Sequence, residues 1–400
     1  MAPTALIIGG GVAGPAAALF LDRLGWQTAV YEAAAAPDDY TGLFLNVATN
    51  GLAVLDRLGL RERLLADAHP CPYMVMWSGR GKRLGQVPNG PAGEPDRGSA
   101  VVRRGWLHEV LRTEVEHRAI PLHFAKRLTT ITPLGDDGVR ATFEDGSSAE
   151  ADILIGCDGI GSPTRSFVDP EAPAPTYANL VSVGGFARHP SIAPTPDTQH
   201  FVFGRRSFFG YLVRTDGEIY WFANVTHPEP ARDQMRATTT EQWLTLLRDL
   251  HAHDAEPVPT ILAANTGPVR GYAIYDLHHV PTWSRGRVVA VGDAIHATSP
   301  SAGQGASLAL EDVMVLAACL SDLPDPTAAF AAYQRIRQPR VEKVVGYAQQ
   351  ISRRKTISRN PVAVTFRDAL LPIFLRKAAT DQTTRWLYDH QTDATTSHIS

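Results

Sequence analysis

Glycines, carboxylates and helix-start residues recur together at three places in this 400-residue chain, and each place could clasp a phosphate or nucleotide. The first is Gly9-Gly10-Gly11-Val12-Ala13-Gly14, set between the apolar run ALIIGG and an apolar helical pattern, with Glu32 closing the next apolar run. In such a unit Gly9 permits the tight turn, Gly11 lets the backbone approach a pyrophosphate and Gly14 lets the helix pack on the strand. The helix start at Val12 and Ala13 offers N–H groups and partial positive charge. Glu32 can accept from a ribose 2′-hydroxyl and would repel a 2′-phosphate, so this unit suits NAD or FAD and disfavours NADP.

The second place, VVAVGDAIHATSPSAGQGASLALEDV, runs from Val288 to Val313. Asp293 follows an apolar strand and would stand at its carboxyl edge, where open α/β sheets bind ligands and where a carboxylate could grip a polyol hydroxyl. Beyond Pro300, the Gly303-Gln304-Gly305 turn leads into a helix predicted near Ala306, whose N-terminus suits a spot where negative charge develops. A reduced flavin carries such charge, whereas NAD has neither a ribityl chain nor an anionic ring. Two glycine loops on one chain therefore read as clamps on opposite ends of a single FAD. The third place is Cys157-Asp158-Gly159-Ile160-Gly161-Ser162-Pro163-Thr164-Arg165, again after a strand; alone, its Asp-Gly pair signals only a β-turn.

The elements that must position these residues follow from periodicity. Residues 4–32 read as a βαβ unit with Gly25 as helix C-cap. Helices are predicted over Gly51–Leu65, Trp106–Arg118 and Trp243–Leu250, and extended segments and turns over Cys71–Asp96. Asp-Gly turns at 137–138 and 145–146 mark hairpins leading to the strand ADILIG. From Tyr177 to Val225 the texture is β (VSVGGFA, QHFVFG, FFGYLV, IYWFANV), an antiparallel sheet inserted into the nucleotide fold. From Ala306 to His390 the chain is mostly helical, with breaks expected at Pro324, Pro339 and Pro361. The fold class is thus α/β: a Rossmann-like FAD-binding domain with an inserted antiparallel sheet for the substrate and a helical C-terminal region. The segments are 1–175 and 271–325 for the cofactor, 176–270 for the substrate sheet and 326–400 for the helices.

Composition narrows the partners. A net charge of −3 with 20% charged residues leaves no footprint for nucleic acid. No stretch of about 18 apolar residues spans a membrane, and MAPTALIIGGG is a first strand, not a secretory signal. Cys71, Cys157 and Cys319 spell neither a disulfide framework nor a metal site, which fits a reducing cytoplasm. Between Tyr333 and Lys377, eleven Lys or Arg face two acidic residues; a solvated helix face explains this most simply, an anionic cofactor or lipid surface being the alternative.

As a set, these motifs resemble the single-component FAD-dependent aromatic hydroxylases, with the para-hydroxybenzoate hydroxylase fold. The likeness covers nearly the whole chain: GxGxxG with Glu32; Arg104, Leu107 and Leu111; Asp158 to Arg165; and Gly292-Asp293 through His296 and Pro300 to Gly303-Gln304-Gly305. Trp221 in IYWFANV looks like the salicylate-hydroxylase branch. The resemblance implies that Gly9, Gly11, Gly14 and Glu32 hold the ADP half, that Arg104 and Asp293 hold the ribityl and pyrophosphate region, and that Pro300 to Gly305 lie at the flavin ring. It also implies that Asp158 serves both FAD and NAD(P)H, while His296 reads as an oriented loop histidine. The chain departs from the pattern where AAAAPDDYTG follows Glu32 without the usual arginine, and at Ser307, where asparagine is common. The halogenase signature WxWxIP is absent.

The implied activity is that of an NAD(P)H-dependent monooxygenase. It would hydroxylate an aromatic or polycyclic small molecule of specialised metabolism with non-covalent FAD, NADPH or NADH, and O2, through a flavin C4a-hydroperoxide in a dry pocket. Candidates for its aromatic wall are Phe201, Phe203, Phe209, Tyr211 and Trp221, with Leu43, Phe44 and Leu45 beside the ring and Phe366 to Phe374 as a cap. No catalytic base is evident, although His200 or Tyr211 could deprotonate a phenol. The chain is expected to be a monomer or weak homodimer. The rival reading is a flavin reductase of the geranylgeranyl-reductase type. A regulatory nucleotide-binding module is disfavoured by the intact Gly303–Gly305 loop, and a hydrolase by the lack of GxSxG, HExxH and Walker A patterns.

Overall fold

The computed structural model describes residues 2–37, 43–355, 368–376 and 384–389. A six-stranded sheet runs in the order Ser284–Arg285, Val288–Ala290, Ile153–Gly156, Thr4–Ile8, Gln27–Tyr31, Leu122–His123. All but the antiparallel Ser284–Arg285 edge are parallel. The apolar run of Thr4–Ile8 is continuous because both of its faces are buried. Ala5 and Ile7 pack against the helices Ala13–Arg23, Arg104–His117 and Gly305–Asp322. Leu6 and Ile8 pack against the small antiparallel sheet of Leu128–Pro133, Val139–Phe143 and Ser148–Ala151.

A seven-stranded sheet forms the second layer, in the order Arg270–Asp276, Thr176–Arg188, Glu218–Thr226, Phe208–Val213, Thr198–Phe203, Tyr73–Ser78, Arg83–Pro88. Its last two strands come from within 1–175 and its first runs on to Asp276, so this sheet is not confined to 176–270. Tyr73–Ser78 pairs in parallel with Thr198–Phe203, a partnership across more than a hundred residues that no local pattern announces.

Strand alternation sorts this sheet's side chains. Val181, Val183, Val202, Phe209, Tyr211 and Trp221 lie on the face covered by the helices Thr240–Leu250 and Val258–Ala263, packed with Trp243, Leu247 and Ile261. Phe209 stacks on Trp221 with ring centroids 5.8 Å apart. Phe201, Phe203, Phe208 and Phe222 lie on the other face with Met74 and Met76. On that face Leu212 and Tyr220 meet Cys71, Val101 and Phe44 of a three-stranded sheet made by Phe44–Val47, Ser99–Arg103 and His69–Cys71. Gly210 is required there: a Cβ at this position would lie 2.3 Å from the Phe222 ring.

Two helix expectations change. The stretch over 51–65 is two helices, Thr49–Arg57 and Arg61–Leu65, because Gly59 turns left-handed (φ +72°) between them. Pro339 does not break its helix, which runs from Pro326 to Lys355. Tyr333 before it and Val341 and Val345 after it are seated in the core, and this packing outweighs the lost backbone hydrogen bond. Pro361 and Phe366 lie outside the described residues; Phe374 is described and is exposed, while Leu371 and Leu375 beside it pack on the Phe201 face of the seven-stranded sheet. Among the described residues no helix is long and apolar enough to cross a membrane.

Since Trp221 is fully buried against the helices, Trp221→Ala should cost about 3–5 kcal/mol of folding free energy. Urea denaturation would read this as a lowered midpoint, and an unchanged midpoint would contradict the face assignment.

Candidate active site

The parallel sheet brings the three motifs to one edge. Val288–Ala290, Ile153–Gly156, Thr4–Ile8 and Gln27–Tyr31 are consecutive neighbours pointing the same way. The loops at Gly292, Cys157, Gly9 and Glu32 therefore emerge side by side at their carboxyl ends. A Cβ on Gly9 would lie 2.3 Å from the Cys157 carbonyl oxygen, and one on Gly292 would lie 3.2 Å from Ala309 Cβ and 3.7 Å from Ala13 Cβ. The two glycine clasps, 280 residues apart in sequence, are thus one structure.

Each glycine of the first loop has a separate constraint. Gly9 sits at φ +108° against Cys157, and a Cβ on Gly14 would lie 1.8 Å from the Gly9 carbonyl oxygen. A Cβ on Gly11 would meet nothing within 4 Å. Gly9 and Gly14 are therefore dictated by packing, whereas at Gly11 the chain leaves open room in front of the helix that starts at Ala13. Glu32 braces this loop: its Oε2 accepts from Gly10 N–H at 2.6 Å and its Oε1 from Ala34 N–H at 2.7 Å, leaving lone pairs for a ribose.

Asp158 faces inward. Its carboxylate accepts from Ser162 Oγ, from Thr164 N–H at 3.0 Å and from Thr164 Oγ1 at 2.7 Å, so it folds the turn into the helix Pro163–Val168. Arg165 at the end of the motif is buried and donates to the Ala294 and Ile160 carbonyls at 2.8 and 2.9 Å. The motif thereby locks onto the Asp293 turn.

Asp293 opens onto the cleft, yet protein surrounds the cleft floor. This burial raises its carboxyl pKa, with His296 and the Arg104 guanidinium opposing the shift. Arg104 begins the helix Arg104–His117; its N–H donates to Leu43 O at 3.0 Å and its side chain is exposed. In the flavin loop, Pro300–Ala302 form a 3-10 turn, Gly303 adopts φ +62°, and the helix Gly305–Asp322 follows. Gln304 is fully buried, and its Nε2 has no partner among the described residues, a donor standing at the loop for an acceptor. Asn46 donates to Gly303 O at 3.3 Å, which places the strand Phe44–Val47 against this loop. Ser307 fits its position because its Oγ accepts from Ala48 N–H at 3.0 Å, and Gly51 leaves it room.

Below the loop lies a buried ionic cluster that local sequence patterns do not disclose. Asp312 accepts from Gly292 N–H at 3.1 Å, from His296 Nε2 and from Arg337 Nε at 2.7 Å. Glu311 is paired with Arg337 and Arg340 and accepts from Asn50 at 2.7 Å; Asn50 also donates to Gln304 Oε1 at 3.0 Å. Arg337 and Arg340 belong to the basic stretch after Tyr333, so part of that charge is internal. Burial alone would lower the His296 pKa, but the Asp312 charge and hydrogen bond override it and the net shift is upward. Burial likewise opposes ionisation of Asp312, and His296 and Arg337 win, holding it below its usual range.

Of the proposed aromatic wall, only Phe201 and Phe203 share the face that looks toward the three-stranded sheet and the flavin loop. Phe209, Tyr211 and Trp221 belong to the helix-covered core. Tyr211 Oη and His200 Nδ1 are hydrogen-bonded to each other at 2.9 Å, and burial pushes His200 down to about 4 and Tyr211 up to about 12. Residues that share the face of Phe201 and Phe203 and that the sequence did not single out are Phe208 and Phe222, with Met74 and Met76 from the contributed strand. Phe44 joins them, its ring 5.9 Å from that of Phe222, and Leu43 reaches the space beside Gly184.

A separate cavity of about 1100 Å3 opens where the Asp158 turn meets the edge strand Arg270–Asp276.

The FAD binding domain family matches residues 2–348 of the chain. The chain belongs to this family. Within it, the 6-hydroxynicotinate 3-monooxygenase of Bordetella bronchiseptica is 30% identical over 363 residues, covering 86% of this chain and 89% of that protein. A 3-amino-4-hydroxybenzoate 2-monooxygenase of Streptomyces platensis is 30% identical over 365 residues, covering 86% of each. The crystal structure of HpxO from Klebsiella pneumoniae complexed with FAD and uric acid superposes with a TM-score of 0.83 at 26% identity, over 96% of this chain and 97% of that one. The FAD of this family fits what the chain presents: open room at Gly11, a carboxylate at the cleft floor, and a left-handed glycine with a buried donor at the loop.

The raised His296 pKa has a signed consequence. The charged pair with Asp312 stabilises the fold fully below the ordinary histidine value of 6.5, and this contribution is lost as pH rises through the elevated folded-state value. His296→Asn should therefore destabilise by about 3–5 kcal/mol at pH 6. The gap in Tm between wild type and variant should narrow toward pH 9; a gap independent of pH would refute the ion pair.

Proposed function

We propose that the protein is an FAD-dependent monooxygenase that hydroxylates a small aromatic or polycyclic compound, with reduced nicotinamide dinucleotide as the electron source and O2 as the oxygen source. The observation that carries this reading is the convergence of both glycine clasps at one sheet edge, with an aromatic face of the seven-stranded sheet set across from the flavin loop. Relatives that are FAD-dependent hydroxylases of nitrogen heterocycles and aminobenzoates favour it over the reductase reading.

In this reading Gly11 and the helix start at Ala13 take the pyrophosphate, Glu32 the adenosine ribose, and Arg104 and Asp293 the ribityl region. Pro300 to Gly305 face the ring. The bound flavin supplies the redox and oxygen-activating chemistry. The chain's own part is to hold that ring, direct the N-terminus of Gly305–Asp322 at the place where negative charge develops, and keep water from the reacting atoms. Phe222, Phe201, Phe208 and Phe44 suit that last task, since an apolar aromatic wall stacks on a planar substrate and offers water no partners. Three free cysteines fit a cytoplasmic setting.

The purified protein should be yellow, carry FAD, and consume reduced nicotinamide and O2 faster when a phenol, indole or fused heterocycle is supplied. Labelled O2 should leave one oxygen atom in the product. Reduction of substrate without oxygen incorporation would establish the rival reductase chemistry. Phe222→Ala should raise KM for the aromatic substrate about tenfold, as expected for roughly 1.4 kcal/mol of lost aromatic contact, and should divert more of the consumed nicotinamide to hydrogen peroxide, read by a peroxide assay.

A further inference from the structure

Among the described residues, large apolar side chains are exposed at one place: Leu370, Ile373 and Phe374, at 43%, 64% and 65% exposure. They stand at i, i+3 and i+4 on the nine-residue helix 368–376 and so share one of its faces. The helix is docked on the body of the fold, because Leu371 and Leu375 on its adjoining face pack with Leu84 and the phenylalanine face of the seven-stranded sheet. A Cβ on Gly85 would lie 2.9 Å from Leu375 Cβ, which sets the helix against the hairpin of Tyr73–Ser78 and Arg83–Pro88. At the tip of that hairpin Arg80, Lys82 and Arg83 are exposed, and no acidic residue occurs from Tyr73 to Asn89. Arg83 donates to the neutral Gln86 Oε1 at 2.8 Å, so its charge is kept. The sequence over 352–377 adds seven Lys or Arg against one acidic residue, Asp368. This is the portion of the basic stretch that Glu311 and Asp312 do not use.

We propose that this helix face and the hairpin tip seat the protein on an anionic lipid surface, with Leu370, Ile373 and Phe374 entering the headgroup boundary and the cations meeting lipid phosphates. Neither part suffices alone. Three apolar side chains give a shallow, reversible insertion, and the basic patch supplies the second signal that stable attachment needs. A second copy of the chain fits this face less well, because two-fold symmetry would bring the two basic patches together. One helix face of three side chains also falls short of the roughly 800 Å2 per partner of a stable protein interface. The inference goes beyond the proposed function and is independent of which substrate the enzyme takes.

The test floats the FAD-loaded protein with vesicles of phosphatidylcholine alone or of phosphatidylcholine mixed with phosphatidylglycerol. At low ionic strength the protein should partition onto the mixed vesicles about tenfold more strongly, and this difference should shrink as salt is raised. I373S/F374S should lower partitioning onto the mixed vesicles by about tenfold or more, as the loss of two inserted apolar side chains requires. It should melt at the wild-type temperature, because both side chains are exposed in the fold. R80Q/K82Q/R83Q should lower partitioning onto the mixed vesicles by about tenfold and leave the weak partitioning onto neutral vesicles unchanged. Wild-type protein that stays unbound with both vesicle types, or I373S/F374S that floats as well as wild type, would overturn the proposal. So would a wild-type dimer that binds no vesicles and that I373S/F374S converts to monomer, which would give the face to a second copy.

Discussion

Two adjacent buried carboxylates, Glu311 and Asp312, are the constraint on which the rest of the site depends. They lie nearly two turns into the helix that follows the Gly303–Gly305 loop, and both are almost completely removed from water. An isolated ionised pair there would be prohibitively costly, so cations must come to it. Arg337 and Arg340 arrive from the long C-terminal helix and His296 from the Asp293 turn, while Gly292 N–H and the Asn50 amide complete the shell. Satisfying these charges fixes the relative placement of four segments that are remote in sequence. The Asp293 turn is held through Gly292 and His296, and the Gly303–Gly305 loop through Asn50 and Gln304. Rigidity at the flavin loop is thus a by-product of neutralising a carboxylate pair, and the Arg340 guanidinium extends it to the C-terminal turn through the Trp386 and Leu387 carbonyls.

The second layer follows a different rule. The seven-stranded sheet is apolar on both faces, and each face has its own covering. Helices Thr240–Leu250 and Val258–Ala263 seal one side as an ordinary core. The opposite side, with Phe201, Phe208 and Phe222, meets Leu371 and Leu375 and, from the three-stranded sheet, Phe44. The two faces of this sheet are chemically alike, and what distinguishes them is which part of the chain covers each.

Much of the backbone geometry of the three glycine loops was readable from the chain alone. Gly9, Gly11 and Gly14 with Glu32, the Asp158 turn, and Asp293 with the Gly303–Gly305 loop are local patterns in which a strand end, a glycine and a helix start lie within a dozen residues. Their spacing therefore carries the geometry. The inward role of Asp158 was less readable, because it accepts from Ser162 and Thr164 across a turn whose helix is capped by Ser162, and an Asp-Gly pair alone does not announce this. Pro339 misled because propensity is local, whereas the helix around it is held by tertiary burial on both sides.

By itself, then, the sequence determined the α/β class, the glycine-rich turns between strand and helix, and the family, since these are written in short-range periodicity and in glycines that only particular backbone shapes demand. Tertiary structure alone decided which aromatic residues share each face of the seven-stranded sheet, which strands complete that sheet, and which arginines neutralise Glu311 and Asp312. The reason is that a strand's alternation shows that two faces exist but not what covers each. A buried charge, likewise, finds its partner through space, from segments whose separation along the chain leaves no periodic trace.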